Sequence, residues 1–155
     1  MEIAVVVESG LEQPDEVVER LKGQGVTAIE SDYPPFIELP ERVVEQIGQR
    51  LRDGGGRLWS VYAPFGGEYN LSNLNDRQRR WAVEIHKLVF QRAALAGASV
   101  AVIHPGGPAN PDDFSRMLDL LRNSLNELLP VAEKYGIVLG LENMLLSCVR
   151  KLPRC

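Results

Sequence analysis

The feature that most constrains this chain is a rhythm. Short, largely apolar runs recur at 3–7, 26–30, 58–62, 100–103 and 137–141, and between them lie longer stretches with apolar residues at helical spacing. The first run ends at Ser9 and Gly10, and Pro14 opens a helix whose Val17, Val18 and Leu21 share a face. Gly23 and Gly25 stop it, and after the second run the Pro34-Pro35 pair predicts an extended loop. A second helix begins at Pro40, carries Val43, Val44, Ile47 and Leu51, and stops at Gly54-Gly55-Gly56. A loop over 63–75 leads to Asn75, a good cap for a helix with Ile85, Val89, Ala93 and Ala96 in its stripe, closed by Gly97. The last helix presents Phe114, Met117, Leu121, Leu125 and Leu128, with a kink expected at Pro130 and a cap at Gly136. The expectation is five strands alternating with four helices.

Such alternation requires a parallel sheet with right-handed crossovers. It does not by itself separate an open doubly wound sheet from a closed barrel. No Gly-x-Gly-x-x-Gly follows the first run and no Walker-type loop occurs, which removes the main support for a nucleotide-binding open sheet and favours a barrel. At 155 residues and 45% apolar content, one domain is expected. The 17 basic and 21 acidic side chains give a net charge of -4, which argues against a nucleic-acid partner. The chain starts with a short apolar run and no basic leader, so a cytoplasmic protein without a membrane segment is expected. Cys148 and Cys155 fall in the last eight residues and brace nothing upstream. Asn70-Leu71-Ser72 fits a glycosylation sequon but carries little weight without a secretory signal.

In parallel α/β architectures the working residues sit at the carboxyl ends of the strands. Those places hold Glu8, Glu30, Tyr62, His104 and Glu142. A polar residue where a strand leaves the core also serves solvation or helix capping, so each taken alone has an ordinary explanation.

Four motifs point further: Val61-Tyr62-Ala63-Pro64-Phe65, Val102-Ile103-His104-Pro105-Gly106, Leu128-Leu129-Pro130-Val131-Ala132-Glu133-Lys134-Tyr135-Gly136, and Leu141-Glu142-Asn143-Met144. In order and spacing they resemble the xylose isomerase-like TIM barrels, a family of sugar and sugar-phosphate isomerases and epimerases that also contains the endonuclease IV group. The resemblance implies a (β/α)8 barrel cut to about five strands and four helices. It assigns 1–144 to the partial barrel and leaves 145–155 as a tail that no longer resembles the family, as a truncation or a shifted reading frame would produce.

By the same resemblance Glu142 takes the place of the glutamate that ends the fifth strand, a ligand of a divalent metal and one half of an acid-base pair. His104 takes the place of a pocket histidine that in the endonuclease branch also binds metal. Tyr62 and Glu30 fall in the substrate pocket, and Glu8 near its mouth. The implied cofactor is Mn²⁺, Mg²⁺ or Co²⁺, or Zn²⁺ in an endonuclease-like site, and a hard carboxylate donor suits the first three. Because the family takes its remaining ligands from strands six to eight, the metal is expected to bind weakly here or not at all. Tyr62 departs from the pattern, since many members carry a histidine there, and this favours the isomerase branch over a three-metal phosphodiesterase. The implied partner is a small sugar or sugar phosphate.

Several further expectations follow. His86, inside a helix, is read as a surface or helix-packing residue, and Trp59 and Trp81 as packing rather than sugar-stacking groups. Gly106-Gly107 ahead of a helix offers a weak phosphate-cradle motif. A noncatalytic half-barrel remains the alternative function. With strands missing, Val5, Val7, Val102 and Leu139 are expected to face water from the open sheet and to drive homo-oligomer formation.

Overall fold

The computed structural model describes residues 4–7, 11–21, 24–107 and 110–142. Glu8, Asn143, Met144 and the 145–155 tail with both cysteines lie outside the described residues. The order is β1 (Ala4–Val7), α1 (Pro14–Leu21), β2 (Ala28–Asp32), α2 (Pro34–Glu38), α3 (Glu41–Asp53), β3 (Arg57–Tyr62), a 3-10 turn (Gly67–Tyr69), α4 (Asp76–Ala96), β4 (Val100–Ile103), a second 3-10 turn (Pro111–Asp113), α5 (Phe114–Tyr135) and β5 (Val138–Leu141). Among the described residues no helix is long and apolar enough to cross a membrane.

All strand pairs are parallel and the spatial order is β1-β2-β3-β4-β5. This order settles what periodicity left open. A doubly wound sheet reverses its strand order and spreads its helices over both faces. A strictly sequential order with right-handed crossovers puts every helix on one face, as in a (β/α)8 barrel. The chain is therefore a partial barrel of five strands.

The register decides which side chains meet the helices. Val7, Ile29, Ser31, Leu58, Val61, Ala101 and Ile103 are buried, and the apolar ones join Val44, Leu51, Val83, Phe90, Leu121 and Leu128 from the helices in one core. Val5 and Leu139 pack against that core as well. The expectation that Val5, Val7 and Leu139 face water is thus corrected: they sit on the helix side. The opposite face carries Val102, half-buried, together with Val6 (50% exposed) and Val138 (65% exposed). Trp59 is also largely exposed, because the β2–β3 register slips between Ile29 and Glu30 and leaves Trp59 as the extra residue of a bulge.

Three local features explain how loops and helices hold the strand ends. Asn75 caps α4 as expected, its side chain accepting from the backbone N–H groups of Arg77 and Gln78. Gly97 and Gly136 end α4 and α5 with φ of 102° and 69°, in the left-handed region where glycine is favoured. The 34–38 segment differs from expectation, being the short helix α2 rather than an extended loop. Proline in a first helical turn loses no hydrogen bond, because those N–H groups have no partner in the helix anyway. Phe36 anchors the segment in the core, and the Arg92 guanidinium donates to the carbonyls of Phe36, Ile37 and Leu39 at 3.1, 3.2 and 3.1 Å. The crossover from β2 to β3 therefore holds two helices, not one. α5 continues through Pro130 to Tyr135.

Candidate functional site

The ends of β3, β4 and β5 bring three of the singled-out residues together. Tyr62 is the last residue of β3, His104 follows β4 and Glu142 follows β5, with the Glu142 N–H bonded to the Ile103 carbonyl. The parallel register aligns Tyr62 with Val102 and Val102 with Gly140, so residues two positions further on, His104 and Glu142, project from the same face. The side chains meet at one atom: Glu142 Oε2 accepts from the Tyr62 hydroxyl at 2.5 Å and lies 2.8 Å from His104 Nε2. With its proton on Nε2, the imidazole donates to the same oxygen.

The electrostatics follow from these contacts. The hydrogen bond to Glu142 pushes the Tyr62 phenol up to about 12, helped by burial and by the negative charges of Glu142, Glu30 and Asp32. Conversely, the bond from Tyr62, with the contact to His104 behind it, holds the Glu142 carboxyl below the usual carboxylate range, outweighing the opposing effect of burial. Glu142 is therefore ionised at neutral pH. Its side chain is 41% exposed while that of His104 is only 8% exposed, so the carboxylate opens to solvent over a nearly buried imidazole. Phe65 walls one side, its ring centroid 4.4 Å from that of His104 and 6.4 Å from that of Tyr62.

Glu30 is not part of this cluster. It lies inside β2 rather than at its end, because β2 runs on to Asp32, and its Oε2 accepts from Ser60 Oγ at 2.5 Å. The pair sits one alternation deeper on the same face, paired in register. Sequence reasoning missed Ser60, Asp32 and Phe65. The two-residue period that links Glu30 to Asp32 and Ser60 to Tyr62 was the available signal. His86 is wholly buried in α4, with Nδ1 2.7 Å from the Ala82 carbonyl, so it packs between elements rather than serving the site. Trp81 is largely exposed and stacks on Tyr69 at 5.3 Å.

A metal ion would find two donors here. Glu142 Oε2 and His104 Nε2 are spaced like adjacent ligands of one ion, since two bonds of about 2.1 Å at a right angle place their donors about 3 Å apart. Among the described residues no group of three or more His, Cys, Asp or Glu side chains could hold an ion. The pair fits as part of a coordination shell and not as a whole one.

The comparisons agree with this geometry. The sequence model of the xylose isomerase-like TIM barrel matches residues 18–151. A D-tagatose 3-epimerase-like protein superposes with a TM-score of 0.73 at 27% identity, over 93% of this chain and 53% of that one. D-psicose 3-epimerase from Clostridium cellulolyticum H10 (TM-score 0.74, 17% identity, 91% of this chain and 52% of that one) shares the fold. So does 3-keto-D-glucoside 4-epimerase from E. coli (TM-score 0.75, 16% identity, 91% and 55%). An uncharacterized protein of Methanocaldococcus jannaschii is 37% identical over 86 residues, 54% of this chain and 29% of the relative. The chain thus spans about half the length of these solved structures, and its match covers under a third of that curated relative. With most of its length matched and the strand order and site at the expected ends, this chain belongs to the xylose isomerase-like TIM barrel family.

Proposed function

We propose that this chain carries one part of a sugar isomerase or epimerase site, in which Glu142 transfers a proton next to a ketose carbonyl and Tyr62 and His104 hold substrate oxygens. The observation that carries this reading is the meeting of both donors on Glu142 Oε2. Such a carboxylate stays ionised at neutral pH and is held in one orientation, so it can accept a proton, although the two donors also make it a weaker base than a free carboxylate. Sugar hydroxyls are the natural substitutes for the Tyr62 and His104 donors, since they both donate and accept. Glu30, held by Ser60, lines the pocket one layer deeper. Glu142 and His104 would hold a divalent ion, Mn²⁺, Mg²⁺ or Co²⁺. When bound, such an ion polarises the carbonyl and acidifies the neighbouring C–H. With only these two donors in the chain's described part, its affinity is weak and rests on Glu142. Calorimetry with Mn²⁺ tests this: weak binding that Glu142→Gln abolishes is expected, and tight binding unaffected by that substitution contradicts it.

The uncovered sheet face supports a second element of the reading. Among the described residues β1 and β5 each pair on one side only, and Val6 and Val138 leave apolar surface exposed on those edge strands. On its own this chain covers that face with a second copy and works as a cytoplasmic homo-oligomer. Sedimentation velocity over a wide concentration range should show a dimer or larger species, and a well-folded monomer at every concentration contradicts it.

A further inference from the structure

The loop after β3 and the loop after β4 meet at Gly106, a short step along the chain from His104. Asn70 makes a tight turn on the β3 side. Its Oδ1 accepts from the Ser72 backbone N–H at 2.8 Å and from the Ser72 hydroxyl at 2.9 Å. That amide oxygen and that hydroxyl stand against Gly106 so closely that a Cβ there would overlap both. Gly106 also holds a φ of 123°, which side chains rarely allow. The Gly106-Gly107 pair, expected to cradle phosphate, is thus packed against the Asn70 side chain. The Asn70-Leu71-Ser72 triplet likewise serves inside the fold, with Leu71 and Ser72 wholly buried.

The turn is anchored from the helix layer. Ser124 of α5, wholly buried, donates to the Leu71 carbonyl at 2.7 Å and accepts from Arg79 Nη1 of α4 at 3.1 Å. Arg79 is buried as well and bonds to Asp76 at 2.9 Å and Glu127 at 3.2 Å. On the other side of the contact, Pro105 joins Gly106 to His104. A proline fixes its own φ and confines the residue before it to extended conformations, so the seat of Gly106 determines where the imidazole points. The β3 loop also carries Phe65, whose ring lies 4.4 Å from that of His104. One contact between loops therefore sets both rings.

We infer that Asn70 is a positioning residue of the site: through Gly106 it holds His104 Nε2 at Glu142 Oε2 and the imidazole against Phe65. Asn70 acts only through His104. The inference rests on the proton-transfer reading above and deepens it, since that reading needs the imidazole in this place. Ring-to-ring NOE contacts in the full chain test it without any ligand. The His104–Phe65 contact reports the site, and the His86–Phe90 contact, with centroids 6.3 Å apart, reports the packed side of α4. Asn70→Ala should weaken the first several-fold and leave the second, and Asn70→Asp, which keeps the Oδ1 acceptor, should restore it. Should Asn70→Ala lose both contacts, Ser72→Ala decides, because removing one hydroxyl should weaken the site contact alone. A site contact that survives Asn70→Ala, or that Asn70→Asp fails to restore, overturns the inference, as does loss of both contacts in Ser72→Ala. Mn²⁺ titration adds a second readout: Asn70→Ala should weaken binding several-fold, yet add nothing once His104→Ala is present. Additive losses overturn the inference. A native chain that binds no Mn²⁺ while the NOE pattern holds would sink the metal-assisted reading and leave the positioning role standing.

Discussion

Replacing Glu142 by Gln should release the Tyr62 phenol. In the native chain the phenol is pushed up to about 12 from its ordinary 10.0, first by the bond it donates to Glu142, then by burial and by the charges of Glu142, Glu30 and Asp32. An amide at 142 still accepts a hydrogen bond but bears no charge, so its preference for the neutral phenol falls, while burial and the two other carboxylates stay. The phenol should therefore titrate roughly one unit lower, a change of about 1.4 kcal/mol between its protonation states. Solvent reaching the 41%-exposed carboxylate screens the pair, so its share of folding stability is smaller, about 1 kcal/mol or less. Between 10.0 and about 12 the native state keeps a proton that the unfolded chain has lost, so stability falls as pH rises through that window. Glu142 acts at the other end of the scale. Its carboxyl is held low, so its contribution is present at neutral pH and disappears as pH falls through the lowered value. The assay is ultraviolet titration of tyrosinate, with the Tyr62→Phe curve subtracted to isolate one of 4 tyrosines. A Tyr62 that titrates at the ordinary value in the native chain, or one that ignores Glu142→Gln, refutes the shared-oxygen geometry.

Burial pushes the His86 imidazole down to about 4, so stability should be level above the ordinary value of 6.5 and decline as pH falls from there toward about 4. His86→Leu should remove most of that decline, on the order of 3 kcal/mol, in denaturant unfolding measured across pH. Arg92→Met should strip the donors from the carbonyls of Phe36, Ile37 and Leu39, costing about 2 kcal/mol and lowering Tm by roughly 6 °C, with hydrogen exchange rising first at α2.

How much of this was legible in the sequence differs from element to element. β1, β4 and β5 read well because each is a short, largely aliphatic run, and β4 lies at 100–103 as expected. β2 was cut short because Ser31-Asp32 looks like the start of a loop. Ser31 is in fact buried on the helix side while Asp32 turns to the open face, an alternation that a polar pair disguises. α2 was hidden by the extended preference of a Pro-Pro pair, and the interaction that outweighs it comes from Arg92, more than fifty residues away in sequence. The faces of β1 and β5 were assigned wrongly because a run of aliphatic residues gives no sign of which alternate set meets the helices. Of the site, the strand-end residues Tyr62, His104 and Glu142 were visible. Their convergence on one oxygen was not, since it depends on register across three strands. The resemblance to the family supplied the roles that spacing alone leaves open.

On the proposed reading, Tyr62, His104 and Glu142 form a metal-assisted site for a sugar. Paramagnetic broadening of ketose resonances by Mn²⁺ tests it most directly, with D-tagatose in excess over the protein. The native chain should broaden the sugar signals beyond what free Mn²⁺ does, because ion and sugar meet at Glu142, and Glu142→Gln should return them to the free-ion level. Broadening that is the same with Glu142→Gln, or that never exceeds the free-ion level with the native chain, would contradict it.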